Sequence, residues 1–457
     1  MLFTGTSGAS LQITLPVPWP SISAAPGVTG SAAGGDHPSL GEGAGLVGGD
    51  HGDRAERRYC GSSGPGALLS GGQGRGMGRR SGTAQSDRWS WVALGVADPR
   101  RWLLGCAEPA AQWVTLTAVL DRPADDPEVV AAHQAVVADS GTRELLDRLP
   151  DWTAGDDLGG HSSPRFAPNL LNLLFDLGVT PTDDPRIDRL LDQMLDHQDG
   201  GGRFEAYAAR RAGEAPVWGA LLCDSHAVLD VLVRAGRTAH PKVQAGLQRL
   251  AADVTQTAQG PAWPCRPHPV TGFRGPGRRN DFCPQVTLEG LRVLARAQPP
   301  SPRPEELLAV ARVALRAWRM RATEKPYMFG HGKGFKTAKW PPTWYGAYAV
   351  LDALGRYPAL WRGGQADPAD RVALADLSAC LVRYNLSVDG TVTPGSTFQG
   401  FASFSFGQKR TASGFATARV LAVLHRLDEL AAEAAAVDVS ALGSSKGGTG
   451  TARPPVC

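Results

Sequence analysis

The stretch CDSHAVLDVLVRAG, from Cys223 to Gly236, decides the fold, because its apolar residues cover most of the circumference of a helix. A helix that is apolar on nearly every side is buried on most of its surface. Runs of the same type recur about every sixty residues. The other copies are RFAPNLLNLLFDLG (165–178), DFCPQVTLEGLRVLAR (281–296), WYGAYAVLDALG (344–355) and FATARVLAVLHRL (415–427). A repeat of this length predicts an array of helical hairpins.

More amphipathic segments lie between these runs, and they open with prolines or acidic residues that start helices. The acidic pairs Asp125-Asp126 and Asp183-Asp184 both precede a proline, and we expect them to cap helix starts. Charged residues on one face of these segments predict outer helices. The sequence therefore predicts an all-α fold, an α/α toroid with inner and outer rings of helices around a central cavity. An open solenoid is the alternative, but its period is nearer forty residues.

Three parts of the chain differ in composition. Residues 1–88 are rich in Gly, Ser, Ala and Pro and have little apolar periodicity, so we expect this segment to be disordered. Residues 89–436 carry the helical pattern and form the expected toroid domain. Residues 437–457 are expected to form a flexible polar tail.

Charge and hydropathy patterns argue against several classes of protein. No run of about eighteen apolar residues is present, which argues against a membrane span. A net charge of +3 is too small to indicate nucleic-acid binding. Seven cysteines, an odd number spread over the chain, do not suggest a disulfide framework. We therefore expect a cytoplasmic protein that binds a small molecule, with or without a partner subunit.

Lysines and aromatic residues share two segments that lead into inner helices. The residues concerned are Lys333, Lys336, Lys339, Trp340 and Trp344 in one segment and Lys409 in the other. Cations interleaved with aromatic rings suit a ligand that has an anionic head and an apolar body. The alternative is a solvated loop whose aromatic side chains cap the core.

The segment GFRGPGRRNDFCPQ (272–285) resembles the loop that precedes an inner helix in the β subunits of protein prenyltransferases. The helical region as a whole resembles the wider squalene cyclase and prenyltransferase repeat superfamily, whose fold is the α/α toroid. The resemblance implies that Asp281 and Cys283 bind zinc. It also implies that an isoprenoid diphosphate is held by Arg274, Arg278 and Arg279. Zinc would ionise a substrate thiol, and arginine forks would stabilise the departing diphosphate.

The chain departs from the prenyltransferase pattern at the third zinc ligand. The family has a histidine at the start of a later inner helix, where this chain has Trp344 and Tyr345. His331 or His226 would have to replace it. The alternative is that Cys223 and Cys283 are buried inner-helix thiols without a metal. The cyclase branch of the superfamily starts its reaction with an Asp-x-Asp-Asp motif, which this sequence lacks.

The first residues of three successive inner helices form a second candidate site, which does not depend on the family resemblance. Parallel inner helices bring their first residues together at one rim of the cavity. Asp224 or Asp281 paired with His226 would serve as general acid and base, beside Tyr345. The alternative is that both aspartates are N-caps.

Three functional classes follow from these patterns. The first is an isoprenoid-handling enzyme related to prenyltransferases and terpene cyclases, with or without zinc as its cofactor. The second is a carbohydrate-active toroid that uses Asp224, Asp281 and His226 and stacks sugar rings on Trp340 and Trp344. The third is a non-catalytic toroid that binds an amphiphile or a protein.

Overall fold

The fold is all-α, as predicted, with short strand pairs in the connections between helices. The computed structural model describes residues 89–153, 160–208, 217–275, 278–297, 304–324, 330, 332–364, 366–440 and 442. The helices are α1 (Arg100–Gly105), α2 (Pro109–Ala118), α3 (Pro127–Ala138), α4 (Ser140–Asp147), α5 (Ala167–Leu177), α6 (Pro185–Asp196), α7 (Leu222–Arg234), α8 (Pro241–Ala252), α9 (Pro284–Arg296), α10 (Pro304–Arg319), α11 (Gly332–Lys336), α12 (Ala347–Leu354), α13 (Pro368–Asn385), α14 (Gly414–His425) and α15 (Ala431–Ala435). The strands are β1 (Ala206–Ala208), β2 (Val217–Gly219), β3 (Thr255–Thr257), β4 (Gly260–Ala262), β5 (Lys339–Trp340) and β6 (Ser396–Thr397). The pairs β1–β2 and β3–β4 are antiparallel, and β5–β6 is parallel.

Six helices of the described chain form a closed inner ring. Following the chain, α2, α5, α7, α9, α12 and α14 each pack against the next, and α14 packs back against α2. The helices α3, α8, α10 and α13 pack on the outside of α2, α7, α9 and α12. The main hydrophobic core lies between the two rings. The predicted α/α toroid is therefore confirmed.

Five of the six inner helices fall on the five apolar runs that the sequence pattern identifies. The sixth, α2, was not predicted, because polar side chains interrupt its apolar pattern. Thr115 on this helix is fully buried, and its hydroxyl donates to the Ala111 carbonyl at 2.7 Å. Satisfying the hydroxyl within the helix lets α2 occupy an inner position.

The predicted starts of outer helices are also confirmed. The Asp126 carboxylate accepts from the Glu128 amide, and the Asp184 carboxylate accepts from the Arg186 amide. Both acidic pairs are therefore used at helix starts, where a carboxylate satisfies otherwise unbonded amides.

The loop before α9 is held in place by a buried tryptophan. Trp263 is fully buried, and its Nε1 donates to the Leu250 carbonyl at 2.8 Å. A Cβ at Gly290 would lie 3.1 Å from its ring, so glycine allows this close approach to α9. The Cys283 amide donates to the Trp263 carbonyl at 2.8 Å. These contacts fix the chain on both sides of the first turn of α9.

The ordered domain continues slightly beyond residue 436, since Val437 and Val439 pack against the core. The predicted disordered segment, residues 1–88, and most of the predicted tail lie outside the described residues. Within the described part of the chain, no helix combines the length and apolar character needed to cross a membrane.

Candidate functional site

The first residues of α7 and α9 and the segment before α12 converge on one pocket at a rim of the toroid, as predicted. We call it the mouth pocket. The residues that line it include His161, Cys223, Cys265, Phe273, Arg278, Asp281, Phe282, Cys283, Gln285, Val286, Trp344 and Tyr345. Its volume is about 60 Å³. Five of these are site residues predicted from the sequence, namely Arg278, Asp281, Cys283, Trp344 and Tyr345.

Three side chains in and beside the mouth pocket bring potential metal ligands together. A ring nitrogen of His161, the Cys223 Sγ and an Asp224 carboxylate oxygen all lie within 4.8 Å of one another. His161 Nδ1 is 3.6 Å from Asp224 Oδ1, and the Cys223 thiol lies 4.0 Å from the same oxygen. All three residues are buried.

Asp224 also controls the charge of His161. Burial by itself lowers the pKa of His161, but the hydrogen bond to Asp224 and the negative charges of Asp224 and Glu289 together outweigh this effect. The pKa of His161 is therefore raised above its usual value. Asp224 is not an N-cap, since α7 begins after Leu221 without a capping side chain.

Two further thiols form a pair in the mouth pocket. The hydrogen bond from Cys283 lowers the pKa of Cys265 to about 6, and the same contact raises the pKa of Cys283. The Gly275 amide donates to Cys265 Sγ at 3.2 Å, and the positive charge of Arg274 adds to the effect. The lowered pKa favours the thiolate form of Cys265, the form in which a cysteine acts as nucleophile or metal ligand.

His226 does not join this cluster. Its Nδ1 lies 3.2 Å from the Val286 carbonyl oxygen, and its ring meets the Trp263 ring edge-on at 5.7 Å. Burial lowers the pKa of His226 to about 4. The predicted pairing of His226 with Asp224 is not formed, because residues two positions apart point to different sides of a helix. His161, which does face Asp224, was missed, although it too lies shortly before an inner helix.

Asp281 is tied to the loop around it. Its carboxylate pairs with Arg278 at 2.6 Å and accepts from Gln259 at 3.1 Å. It is not an N-cap either, since Cys283 occupies that position of α9. Arg279 is exposed. His331, the predicted third zinc ligand, lies outside the described residues.

Trp344 and Tyr345 form the aromatic wall of the mouth pocket. The Trp344 ring stacks on His161 at 5.8 Å and contacts Tyr345 at 4.9 Å. The Tyr345 amide donates to Gln285 Oε1 at 2.9 Å. This wall covers one side of His161.

The lysine side chains predicted to bind an anionic ligand have different surroundings. The Lys336 ammonium lies 5.0 Å from the ring of Tyr384, and the Lys339 ammonium lies 3.6 Å from the ring of Phe398. Lys333 and Lys409 are exposed, whereas Trp340 is buried. None of these lysines lines the mouth pocket within the residues that the structure covers.

A second cavity, which we call the central chamber, lies inside the inner ring. It is lined by residues of α5, α7, α9, α12 and α14 and by the segment 340–343. Its charged lining residues are Asp176, Asp230, Arg234, Glu289, Arg292, Arg296, Asp352 and Arg419. Sequence analysis did not identify this cluster.

Comparisons with known proteins add little to this description. No family model and no curated protein matches the chain. Among solved structures, a type II terpene cyclase from Scytonema in complex with geranylgeranyl dihydroxybenzoate is 16% identical. The match covers 75% of this chain and 96% of that chain, with a TM-score of 0.36. At this level of similarity the match supports no functional conclusion.

Proposed function

We propose that the protein is a zinc-dependent enzyme of the isoprenoid-handling class, with its active site in the mouth pocket. The observation that carries the proposal is the convergence of His161, Cys223 and Asp224, whose ligand atoms all lie within 4.8 Å. An imidazole, a thiol and a carboxylate are the ligand types that zinc uses in catalytic sites. Ligands of a tetrahedral zinc ion lie roughly 3–4 Å apart, so small side-chain movements would suffice.

Zinc bound there would lower the pKa of a substrate thiol or water. The chain's own residues orient the site. Trp344 covers one face of His161, and Asp224 holds the imidazole in place. The proposed ligands differ from Asp281 and Cys283, the two that the family resemblance implies. Asp281 is instead bound by Arg278 and Gln259.

The walls of the mouth pocket support an apolar substrate. Phe273, Phe282, Val286 and Trp344 line it, and apolar walls with a few polar groups are typical of small-molecule sites. An isoprenoid chain has this character. A carbohydrate is less suited, because Trp340 is buried and cannot stack on a sugar ring.

The thiol pair supports a second candidate, a metal-free thiol enzyme. The contact with Cys283 lowers the pKa of Cys265 within the same pocket, and a cysteine thiolate attacks electrophiles without a metal. The two candidates differ in which cysteine is essential, Cys223 for the zinc enzyme and Cys265 for the thiol enzyme.

The test is the zinc content of the purified full chain, measured by inductively coupled plasma mass spectrometry. We expect one zinc ion per chain, lost in His161→Ala and in Cys223→Ser. Cys380→Ser is the matched control, because Cys380 is a buried thiol on the outer helix α13. Stoichiometric zinc in Cys223→Ser would overturn the proposed ligand set.

A second assay addresses the substrate class. We expect zinc-loaded protein to consume farnesyl or geranylgeranyl diphosphate in the presence of a thiol acceptor, and Cys223→Ser to lose this turnover. Absence of zinc together with turnover that depends on Cys265 would favour the thiol enzyme. Absence of both zinc and turnover would refute both candidates.

A further inference from the structure

We propose that a cavity at the first residues of α2 and α14 binds the primary ammonium group of a small apolar molecule. We call it the α14 cavity. Its wall includes Trp102, Glu108, Asp139, Ser403, Phe404 and Ser405. The α14 cavity shares no lining residue with the mouth pocket or the central chamber, so the proposal does not depend on the proposed zinc site.

The size of the α14 cavity suits a small molecule. Its volume is about 390 Å³, and small-molecule sites in proteins have volumes of roughly 300–1,000 Å³. The lining residues Trp102 and Ser403 are exposed, whereas Val136 and Leu177 are buried. A ligand can therefore enter from solvent and place an apolar body against the buried part of the wall.

Glu108 is held in the cavity wall by the start of α14. Its Oε2 accepts from the Phe415 amide at 2.8 Å, and the Ser405 hydroxyl lies 2.8 Å from both carboxylate oxygens. Ser413 in turn fixes Ser405, since their hydroxyl oxygens are 2.6 Å apart. A Cβ at Gly414 would lie 2.7 Å from Glu108 Oε2, so glycine allows the carboxylate this position. A carboxylate offers about four acceptor positions, so part of this capacity remains for a ligand.

Further oxygen atoms in the wall match the donors of an ammonium group. Asp139 is the N-cap of α4, and its Oδ2 accepts from the Thr142 amide at 2.9 Å. Ser403 and Ser405 add hydroxyl groups to the wall. An ammonium group carries three donors and no acceptor, so it can bond to carboxylate and hydroxyl oxygens at once.

The charge of the cavity wall is negative. Among the described residues, no arginine, lysine or histidine lines the α14 cavity. Lys409 and Arg410, in the loop before α14, are exposed. Burial raises the pKa of Glu108, a hydrogen bond from Ser405 opposes this, and the charge of Asp139 adds to it. A bound cation would offset the repulsion between the two carboxylates.

Aromatic side chains supply the apolar part of the site. Trp102 is 40% exposed, and Phe404 stacks on Phe406 with ring centroids 4.9 Å apart. A Cβ at Gly141 would lie 3.1 Å from the Phe404 ring, so glycine allows this ring to pack there. Aromatic faces attract ammonium cations and also contact apolar groups. An amine with an aromatic or aliphatic body therefore suits both parts of the wall.

Isothermal titration calorimetry of the full chain near neutral pH and at fixed ionic strength tests the proposal. Phenethylamine is the probe, because it is a primary ammonium ion with an apolar body. Phenethyl alcohol is its neutral isostere, and phenylacetate is an anion of similar size. We expect phenethylamine to bind roughly tenfold more tightly than either control, or better. Equal affinity for phenethylamine and phenethyl alcohol, or no binding of phenethylamine at millimolar concentrations, would overturn the proposal.

Two variants remove charge while they keep local structure. Glu108→Gln retains an oxygen for the Phe415 amide, and it should weaken phenethylamine binding roughly tenfold. Asp139→Asn should cause a smaller loss, since asparagine caps helices as well as aspartate does. Asp126→Asn is the matched control, because Asp126 caps α3 and does not line the cavity. A lower Tm of Glu108→Gln with unchanged phenethylamine affinity would overturn the proposal, because Glu108 would then only stabilise the start of α14.

Alkylation of cysteines locates the bound amine. Cys106 lines the α14 cavity and is half-buried, whereas Cys265 lines the mouth pocket. Saturating phenethylamine should slow the reaction of Cys106 with N-ethylmaleimide, measured by peptide mass spectrometry, and leave that of Cys265 unchanged. Protection of Cys265 instead would place the amine in the mouth pocket and overturn the proposal. Zinc content should be the same in wild type and Glu108→Gln, so failure here leaves the zinc proposal standing.

Discussion

The mouth pocket and the central chamber lie next to each other, yet they are built from different chemistry. The mouth pocket has apolar walls and three cysteines, and Arg278 at its edge is paired with Asp281. The chamber is lined by four arginines and by four carboxyl groups, those of Asp176, Asp230, Glu289 and Asp352. Thiols and apolar side chains therefore characterise the mouth pocket, whereas a buried network of ion pairs characterises the chamber.

The two regions also draw on different parts of the repeat. The mouth pocket takes its residues from loops and from the first turns of inner helices. The chamber takes its charged residues from later turns of the inner helices. A single helix, α9, supplies Cys283 and Gln285 to one region and Arg292 and Arg296 to the other.

The largest expected effect is in the chamber, for the substitution Asp230→Asn. This change leaves Arg292 and Arg296 without their carboxylate, and breaking a buried pair in this way costs about 3–5 kcal/mol. Chemical denaturation of the full chain measures it. The control Asp188→Asn removes the exposed partner of Arg237 and should cost less than about 1 kcal/mol. Equal losses in both variants would mean that the chamber network is not specially buried.

The next effect concerns pH and Glu289, which faces Arg292, Asp230 and His161. Because burial raises its pKa from 4.5 to about 7, its contribution favours folding below pH 4.5 and is lost as the pH rises through 7. The Glu289→Gln variant lacks this dependence. Relative to wild type it should gain roughly 3 kcal/mol in unfolding free energy between pH 4 and pH 8.

Denaturation curves at several pH values provide the measurement for Glu289. The exposed residue Glu128 supplies a matched control, Glu128→Gln, whose stability relative to wild type should not vary with pH by this amount. If the unfolding free energies of Glu289→Gln and wild type vary with pH in the same way, the pKa of Glu289 is not raised by burial.

The mouth pocket should be distinguished by the reactivity of Cys265. With a pKa lowered to about 6, about nine-tenths of this thiol is ionised at pH 7. Burial raises the pKa of Cys380 to about 11, which leaves roughly one thiol in ten thousand ionised. Alkylation of EDTA-treated protein by iodoacetamide, followed by peptide mass spectrometry, should therefore modify Cys265 more than a hundred times faster. Equal rates would contradict the thiolate assignment.

The smallest effect is expected at the lysine segment. Lys339 contacts the ring of Phe398 and does not line either cavity among the described residues. Lys339→Ala should therefore change the prenyl diphosphate turnover of the full chain by less than twofold. A tenfold loss of turnover would place the anionic head of the substrate at the lysine segment.

Much of the fold could be predicted because burial leaves a repeating pattern. The all-apolar runs identify α5, α7, α9, α12 and α14, and the aspartate-proline signals identify the starts of outer helices. The inner helix α2 was not predicted, because the Thr115 hydroxyl forms its hydrogen bond inside the helix. A hydropathy pattern does not reveal such a bond.

About half of the candidate site could be predicted. Helix starts at the same point of successive repeats converge, and the predicted residues Asp281, Cys283, Trp344 and Tyr345 lie at one pocket. The partner of Asp224 could not be predicted. Spacing along the sequence suggested His226, but the helix directs the His226 ring towards Trp263. The charged residues of the chamber are harder to recognise in the sequence. They stand as single aspartates within apolar runs, such as Asp176 and Asp352.

The sequence by itself determined the α/α toroid and the rim at which inner helices begin, because helix period and repeat length are local properties of the chain. Tertiary structure decided which side chains meet. His161 lies more than sixty residues before Asp224, and packing of consecutive repeats brings the two together. Arg419 lies more than two hundred residues after Asp176, and closure of the ring pairs these two. Ligand geometry and charge balance depend on such contacts, since both vary with distances that only the closed ring fixes.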